Sequence, residues 1–236
     1  MTMNISTRLL TLLLLLVDII CVSSIAICTA QIQPNSLTNQ VNTDINCSFD
    51  NRITRIRVID KNSNALIDLP VAQGNIDYWL KHSINHLPSI SGTPVVDTKC
   101  NGIYAQNILI YGHRIGRDGV FGPISNVYNQ TNLNNIDRIE LDTTAQKTIT
   151  FIPIAGLKVK SDFASIQKIG FDSTEQMHNW QKDLCLNAQA HIPNADEEIE
   201  SSYKTLSLVT CSEAQPNQPW RCILVAVARN TEQDCN

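Results

Sequence analysis

Thr205-Leu206-Ser207-Leu208-Val209-Thr210-Cys211 and Arg221-Cys222-Ile223-Leu224-Val225-Ala226-Val227-Ala228 decide how this chain folds. Both are short apolar runs of strand length rich in residues that favour a pleated surface. The arginine stands ten positions after Cys211 (221 − 211 = 10), a spacing that predicts a hairpin. Two adjacent antiparallel strands then bring Cys211, at the end of one, close to Arg221, at the start of the next. Taken singly, these residues also fit a buried strand thiol or half of a disulfide, and a surface arginine.

Similar runs precede them: Ile53–Asp60, Ala65–Ala72, Thr93–Asp97, Ala105–Tyr111, Asp137–Asp142, Thr148–Pro153 and Leu157–Lys160, each bounded by Asn, Gly, Asp, Ser or Pro. So many short strands in one domain predict a mainly β barrel or sandwich, and a closed barrel leaves no exposed sheet edge. Two segments read as helices, Ile76–Ile84 and Thr174 to about Ala190. The second opens with Ser173 and Gln176 as a capping box and carries Met177, Trp180, Leu184 and Ala188 on one apolar face.

With 236 residues, 43% hydrophobic and 17% charged, the chain is long enough for one sizeable core. A net charge of -4 without a basic run argues against nucleic acid as a partner. From Leu9 to Ala30 the sequence is apolar apart from Thr11, Asp18, Ser23, Ser24 and Thr29, which suits a bilayer-spanning helix of about 20 residues. Arg8 precedes this span and no basic residue follows until Arg52, so the positive-inside bias puts the rest of the chain outside the cell. The expectation is a single-pass membrane anchor, or a signal peptide cut after Cys28-Thr29-Ala30. Residues 1–30 are thus an anchor or signal segment, polar residues 31–52 a linker, and 53–236 the folded domain.

Six of the eight cysteines, Cys47, Cys100, Cys185, Cys211, Cys222 and Cys235, fall in the part expected to be exported, where disulfides are permitted. If one stays a thiol for catalysis, at most two bridges form. There is no CxxC pair or zinc-spaced His cluster in the sequence, so no metal or other cofactor is expected.

Asn107-Ile108-Leu109-Ile110-Tyr111-Gly112-His113 is an apolar strand that ends at a glycine and then presents a histidine at the start of a loop. A cysteine, a histidine and an arginine, all at strand ends, supply what thiol-based acyl transfer needs. These are a thiolate nucleophile, a proton donor for the leaving amine and a fixed cation for the oxyanion. Arginine suits the last role because it stays charged and offers several donors in a rigid fork.

From about Ile56 to Ala228 the chain resembles the class B sortases. Ile67-Asp68-Leu69-Pro70-Val71-Ala72-Gln73-Gly74 is similar to the family's strand ending in Pro-Val-Val-Gln-Gly. Asp77-Tyr78-Trp79-Leu80-Lys81-His82 resembles its Asp-Tyr-Tyr-Leu-Asn-His helix, and Ser91–Asp97 its Gly-Ser-Ile-Phe-Leu-Asp strand. Asn107–His113 resembles Asn-Leu-Ile-Ile-Tyr-Gly-His, and Asp118–Gly122 the Asp-Gly-Ser-Met-Phe-Gly just after it. Ser207–Cys211 matches Thr-Leu-x-Thr-Cys with Ser207 for the first Thr, and Ser212 stands where an Asp commonly follows the cysteine.

The resemblance implies a closed eight-stranded sortase-type β-barrel with an N-terminal helix and a further helix in the long connection before the Cys strand. It implies Cys211 as nucleophile, His113 as acid/base and Arg221 as oxyanion stabiliser. The partners implied are a sorting-signal peptide of secreted client proteins and a peptidoglycan-precursor amine, joined through a thioacyl enzyme. The helix from Thr174 favours class B over class A. A pilin-type sortase would carry an Asp-Pro-Trp or Asp-Pro-Phe lid, and an L,D-transpeptidase a Ser-His-Gly-Cys-x-Arg stretch; neither occurs. The competing reading is a catalytically silent peptide-binding domain with Cys211 bridged to a neighbour such as Cys222. Cys222, one residue from Arg221 on the same strand, is expected to face away from the site.

Overall fold

A computed structural model describes residues 52–97, 102–143, 147–213 and 218–229. The alternation expected of a half-buried strand is plain in β1 (Arg52–Asp60), where Ile56 and Val58 are fully buried and Arg55 and Arg57 face outward. It pairs antiparallel with β2 (Ala65–Gln73) on one side. After β2 come the short helix α1 (Ile76–Trp79), β3 (Val95–Val96) and β4 (Asn107–Tyr111). A small hairpin of β5 (Arg114–Ile115) and β6 (Gly119–Val120) follows, then α2 (Gln130–Asn135), β7 (Ile136–Asp142) and β8 (Thr148–Lys160). The chain continues through α3 (Thr174–Leu186), β9 (Ala190–His191) and α4 (Ala195–Glu200), and the described part ends with β10 (Ser202–Cys211) and β11 (Trp220–Arg229).

The strands run β11-β10-β4-β3-β2-β1-β7-β8, and a further pairing of β8 with β11 closes the ring at eight. β9 is a ninth, two-residue strand laid on β8. Two of the pairings, β4–β10 and β2–β3, are parallel, so the barrel is mixed. The expected closed, mainly β barrel is therefore present, with its interior filled by Ile56, Val58, Ile108, Ile110, Leu208, Leu224 and their neighbours.

The two runs Thr148–Pro153 and Leu157–Lys160 are one strand rather than two. Their interruption by Pro153 and Gly156 is absorbed by a register shift, with Val225 opposite Ala155 but Ala226 opposite Pro153. An extra residue of this kind bends a strand. Here it accompanies a change of partner, because β8 leaves β7 at Phe151 and pairs with β11 from Ile152 onward. Gly156 sits where the chain allows nothing larger: a Cβ there would lie 2.0 Å from the Val127 carbonyl oxygen.

Both expected helices are shorter than their sequence patterns. α1 stops at Trp79 because the chain turns back on itself, with Ser89 N–H donating to Lys81 O (2.8 Å) and Thr93 N–H to Trp79 O (2.8 Å). α3 stops at Leu186, where Asn187 caps it, and Ala190 joins β9 instead. Its start follows the sequence: Ser173 Oγ accepts from Gln176 N–H (3.1 Å), while the Gln176 side chain reaches Asp172 N–H rather than that of the cap residue. α2, α4, β5, β6 and β9 are additions that the hydropathy pattern did not suggest.

The expected N-terminal helix and the apolar segment Leu9–Ala30 lie outside the described residues. Among the described residues no helix is long and apolar enough to cross a membrane.

Candidate active site

Parallel pairing of β4 with β10 places their C-terminal ends side by side. The last rung joins Tyr111 to Val209, and Gly112 N–H then donates to Val209 O at 3.0 Å. His113 and Cys211 each follow two residues beyond that rung (113 − 111 = 2; 211 − 209 = 2). On the other side of β10, Cys211 is the direct cross-strand partner of Arg221 at the end of the β10–β11 ladder. The three residues singled out from sequence thus occupy neighbouring ends of three adjacent strands, β4, β10 and β11.

Directly opposed residues in an antiparallel pair project from the same face, so Cys211 and Arg221 share one. The next rung, Thr210 with Cys222, faces the other way. Cys222 is 1% exposed, donates its thiol hydrogen to Ile124 O at 3.2 Å and belongs to the core, and burial pushes its pKa up to about 12. Cys211 is partly exposed, and both are free thiols, as is Cys185. A bridge between Cys211 and Cys222 would have to cross the sheet. Cys185 is also a poor nucleophile near neutrality, its pKa raised to about 11 by burial and by the charge of Asp196. Cys47, Cys100 and Cys235, the other cysteines of the expected bridges, lie outside the described residues.

His113 is held by an element that the sequence pattern did not implicate. Its Nε2 lies 2.8 Å from the main-chain carbonyl of Leu80, which caps α1. A carbonyl only accepts, so Nε2 carries the hydrogen and Nδ1 is the nitrogen left for proton exchange. The His113 carbonyl in turn accepts from Phe121 N–H at 2.9 Å. The Phe121 ring occupies the space over Gly112, where an added Cβ would lie 2.5 Å from the ring.

Arg221 Nη1 donates to Gln218 O (2.8 Å) and Trp220 O (3.2 Å). These contacts use one nitrogen of the guanidinium and leave the remaining donors uncommitted to any carboxylate among the described residues. Lys158 lies beside this end of β11, 5.6 Å from the centre of the Trp220 ring and 3.4 Å from Glu213. Arg114, which follows His113, donates from Nη1 to the main-chain oxygen of Ser212, the residue after Cys211. Sequence reasoning passed over it, although a charged residue next to a histidine at a strand end is a visible signal.

The fold has counterparts among solved structures. Sortase B from Clostridium perfringens superposes with a TM-score of 0.64 at 25% identity, covering 77% of this chain and 94% of that one. Sortase B from Staphylococcus aureus gives 0.64 at 16% identity over 77% and 82% of the two chains. Sortase B from Bacillus anthracis gives 0.62 at 14% over 80% and 83%. No protein-family model matches the chain, and no curated protein matches it by sequence. The chain has a class B-like sortase fold.

Proposed function

We propose that this chain is a sortase-type cysteine transpeptidase, class B-like, with Cys211, His113 and Arg221 as its catalytic residues. The observation that carries the reading is the direct cross-strand pairing of Cys211 with Arg221 beside the strand end that bears His113, within a sortase fold.

In the first half-reaction the Cys211 thiolate attacks the threonine carbonyl of a sorting signal near a client's C-terminus. A C–S bond forms, and the negative charge that develops on oxygen faces the Arg221 guanidinium. The C–N bond then breaks as His113 gives its proton to the departing amine. In the second half-reaction a wall-precursor amine attacks the thioester and loses a proton to His113. The C–S bond breaks and Cys211 returns as thiolate, so neither half-reaction consumes an oxidant or reductant. Class B sorting signals of the Asn-Pro-x-Thr-Asn kind are the substrate class proposed. Residues 9–30 are proposed to hold the enzyme on the outer side of the cell membrane.

The test is mass spectrometry of the protein incubated with such a peptide. A mass increase equal to the acyl fragment, on the tryptic peptide containing Cys211 and cleaved by hydroxylamine, is expected. Cys211→Ala is expected to give neither adduct nor transfer while keeping the far-ultraviolet circular dichroism of the wild type. Transpeptidation by Cys211→Ala would overturn the reading.

A further inference from the structure

The hydrogen-bond ladder between β4 and β10 ends before it reaches the residues proposed to react. Its last contacts are the Tyr111–Val209 rung and the Gly112 N–H to Val209 O bond. Beyond them His113 lies past the end of β4 and Cys211 is the last residue of β10, so pairing between these two strands no longer fixes their separation. Main-chain hydrogen bonding holds each to its own side instead. His113 O accepts from Phe121 N–H at 2.9 Å, and Ser212 N–H reaches Trp220 O at 3.3 Å.

One side chain spans the gap. Arg114 follows His113, Ser212 follows Cys211, and Arg114 Nη1 donates to Ser212 O. The base of this strut is firm: Arg114 pairs with Val120 in the β5–β6 hairpin, and Phe121, next along, is fully buried. Arg114 is half-buried, yet it makes no ion pair among the described residues, and its Nε is buried without a hydrogen-bond partner. The hydroxyls of Thr210, on the adjoining strand, and of Ser212, just past its end, are likewise buried and unpartnered. Partly burying a guanidinium without a carboxylate partner, beside buried hydroxyls without one, opposes stability. Such local costs are retained where geometry serves a site.

We infer that Arg114 is a positioning residue, a strut from the acid/base loop to the nucleophile strand that holds His113 at its working distance from Cys211. The inference rests on the transpeptidase reading above. Arg114 touches neither substrate nor reacting atom in this role. Its loss therefore leaves peptide binding in place and slows acyl transfer, since a misplacement of about 1 Å between reacting groups costs on the order of 10²-fold.

The experiment compares wild type, Arg114→Met and Arg114→Lys in single-turnover acylation with a sorting peptide, alongside steady-state kcat and KM. Arg114→Met keeps the aliphatic stem without a donor. It is expected to lower kcat roughly 10- to 100-fold with KM within about twofold of wild type. Arg114→Lys keeps one donor able to reach a carbonyl and is expected to recover most of the loss. If Arg114→Met does not fold, Arg114→Gln, too short to reach Ser212, takes its place with the same expected loss. A variant without the donor that acylates at the wild-type rate overturns the inference. So does a loss confined to KM, or a Lys variant no better than Met. Wild-type protein that forms no thioester with any peptide of the class would instead overturn the transpeptidase reading.

Discussion

The carbonyl oxygen of Leu80 and Nε2 of His113 lie 2.8 Å apart, joining the cap of a one-turn helix to a histidine 33 residues later in the sequence. The contact fixes the neutral ring as the Nε2–H tautomer and gives the exchangeable role to Nδ1. Two measurements follow. Nitrogen chemical shifts of the neutral His113 ring are expected to report a hydrogen on Nε2, and an Nδ1–H tautomer would contradict the hydrogen bond. His113→Ala is expected to slow acylation by about 10²–10⁴-fold, the usual worth of a positioned proton donor. An unimpaired rate would remove His113 from the mechanism.

Differences in thiol environment predict selective labelling. Burial raises the pKa of Cys222 to about 12 and that of Cys185 to about 11, so near neutrality both are held as thiols, the unreactive form. Cys211 is partly exposed at the strand end. Brief iodoacetamide treatment of the folded protein at pH 7, read by peptide mass mapping, is expected to modify Cys211 ahead of Cys185 and Cys222. Cys222 labelled as fast as Cys211 would mean that the inner face of the β10–β11 hairpin is open.

On the outer face of the barrel Arg57 donates to Glu140 (2.9 Å) and to both oxygens of Asp142 (2.9 and 2.7 Å). Hydrogen bonds from Arg57 are the main reason both carboxyls titrate below their ordinary values. A carboxyl with a depressed folded pKa contributes stability above its unfolded value, about 4, and that contribution is lost as pH falls through the lower folded value. Arg57→Met is expected to cost about 1 kcal/mol at pH 7, in keeping with a partly exposed cluster. The gap to wild type should narrow as both proteins are acidified below about pH 4. Urea unfolding at pH 7 and pH 3 checks this, and an undiminished gap at pH 3 would assign the effect to packing of the arginine stem.

Strand content and the placement of Cys211 against Arg221 were legible because both depend on local pattern: short apolar runs, turn residues and a hairpin interval. The pairing of β4 with β10 was not. A parallel ladder joins residues about a hundred positions apart, as with Ser207 opposite Leu109, and nothing in either run states its partner. The unity of β8 was hidden because Pro153 and Gly156 read as breaks, while their tolerance comes from a bulge and from the Val127 backbone packed against Gly156. The Leu80 contact escaped notice for a different reason. It is made by a main-chain oxygen, which any residue supplies, so side-chain identity carries no trace of it.

The last prediction concerns Arg221, whose main-chain anchors set it apart from a mobile surface arginine. Nη1 is tied to Gln218 O and Trp220 O, and its strand position is fixed opposite Cys211. The planar fork is thereby oriented before substrate arrives, which is the condition under which a donor stabilises a developing oxyanion without reorganising. Loss of such a donor typically costs about 2.7–4 kcal/mol, or roughly 10²–10³ in kcat. Arg221→Ala should therefore slow single-turnover acylation by that factor while weakening peptide binding little. Arg221→Lys keeps the charge, but its single nitrogen cannot hold both carbonyl anchors and still present a rigid second donor, so only part of the rate should return. An arginine serving only as a solvated surface charge would predict an effect under about 1 kcal/mol. Acylation rates of the two variants, set beside peptide affinity by isothermal titration, separate these cases: a near-wild-type rate in Arg221→Ala would exclude the oxyanion role.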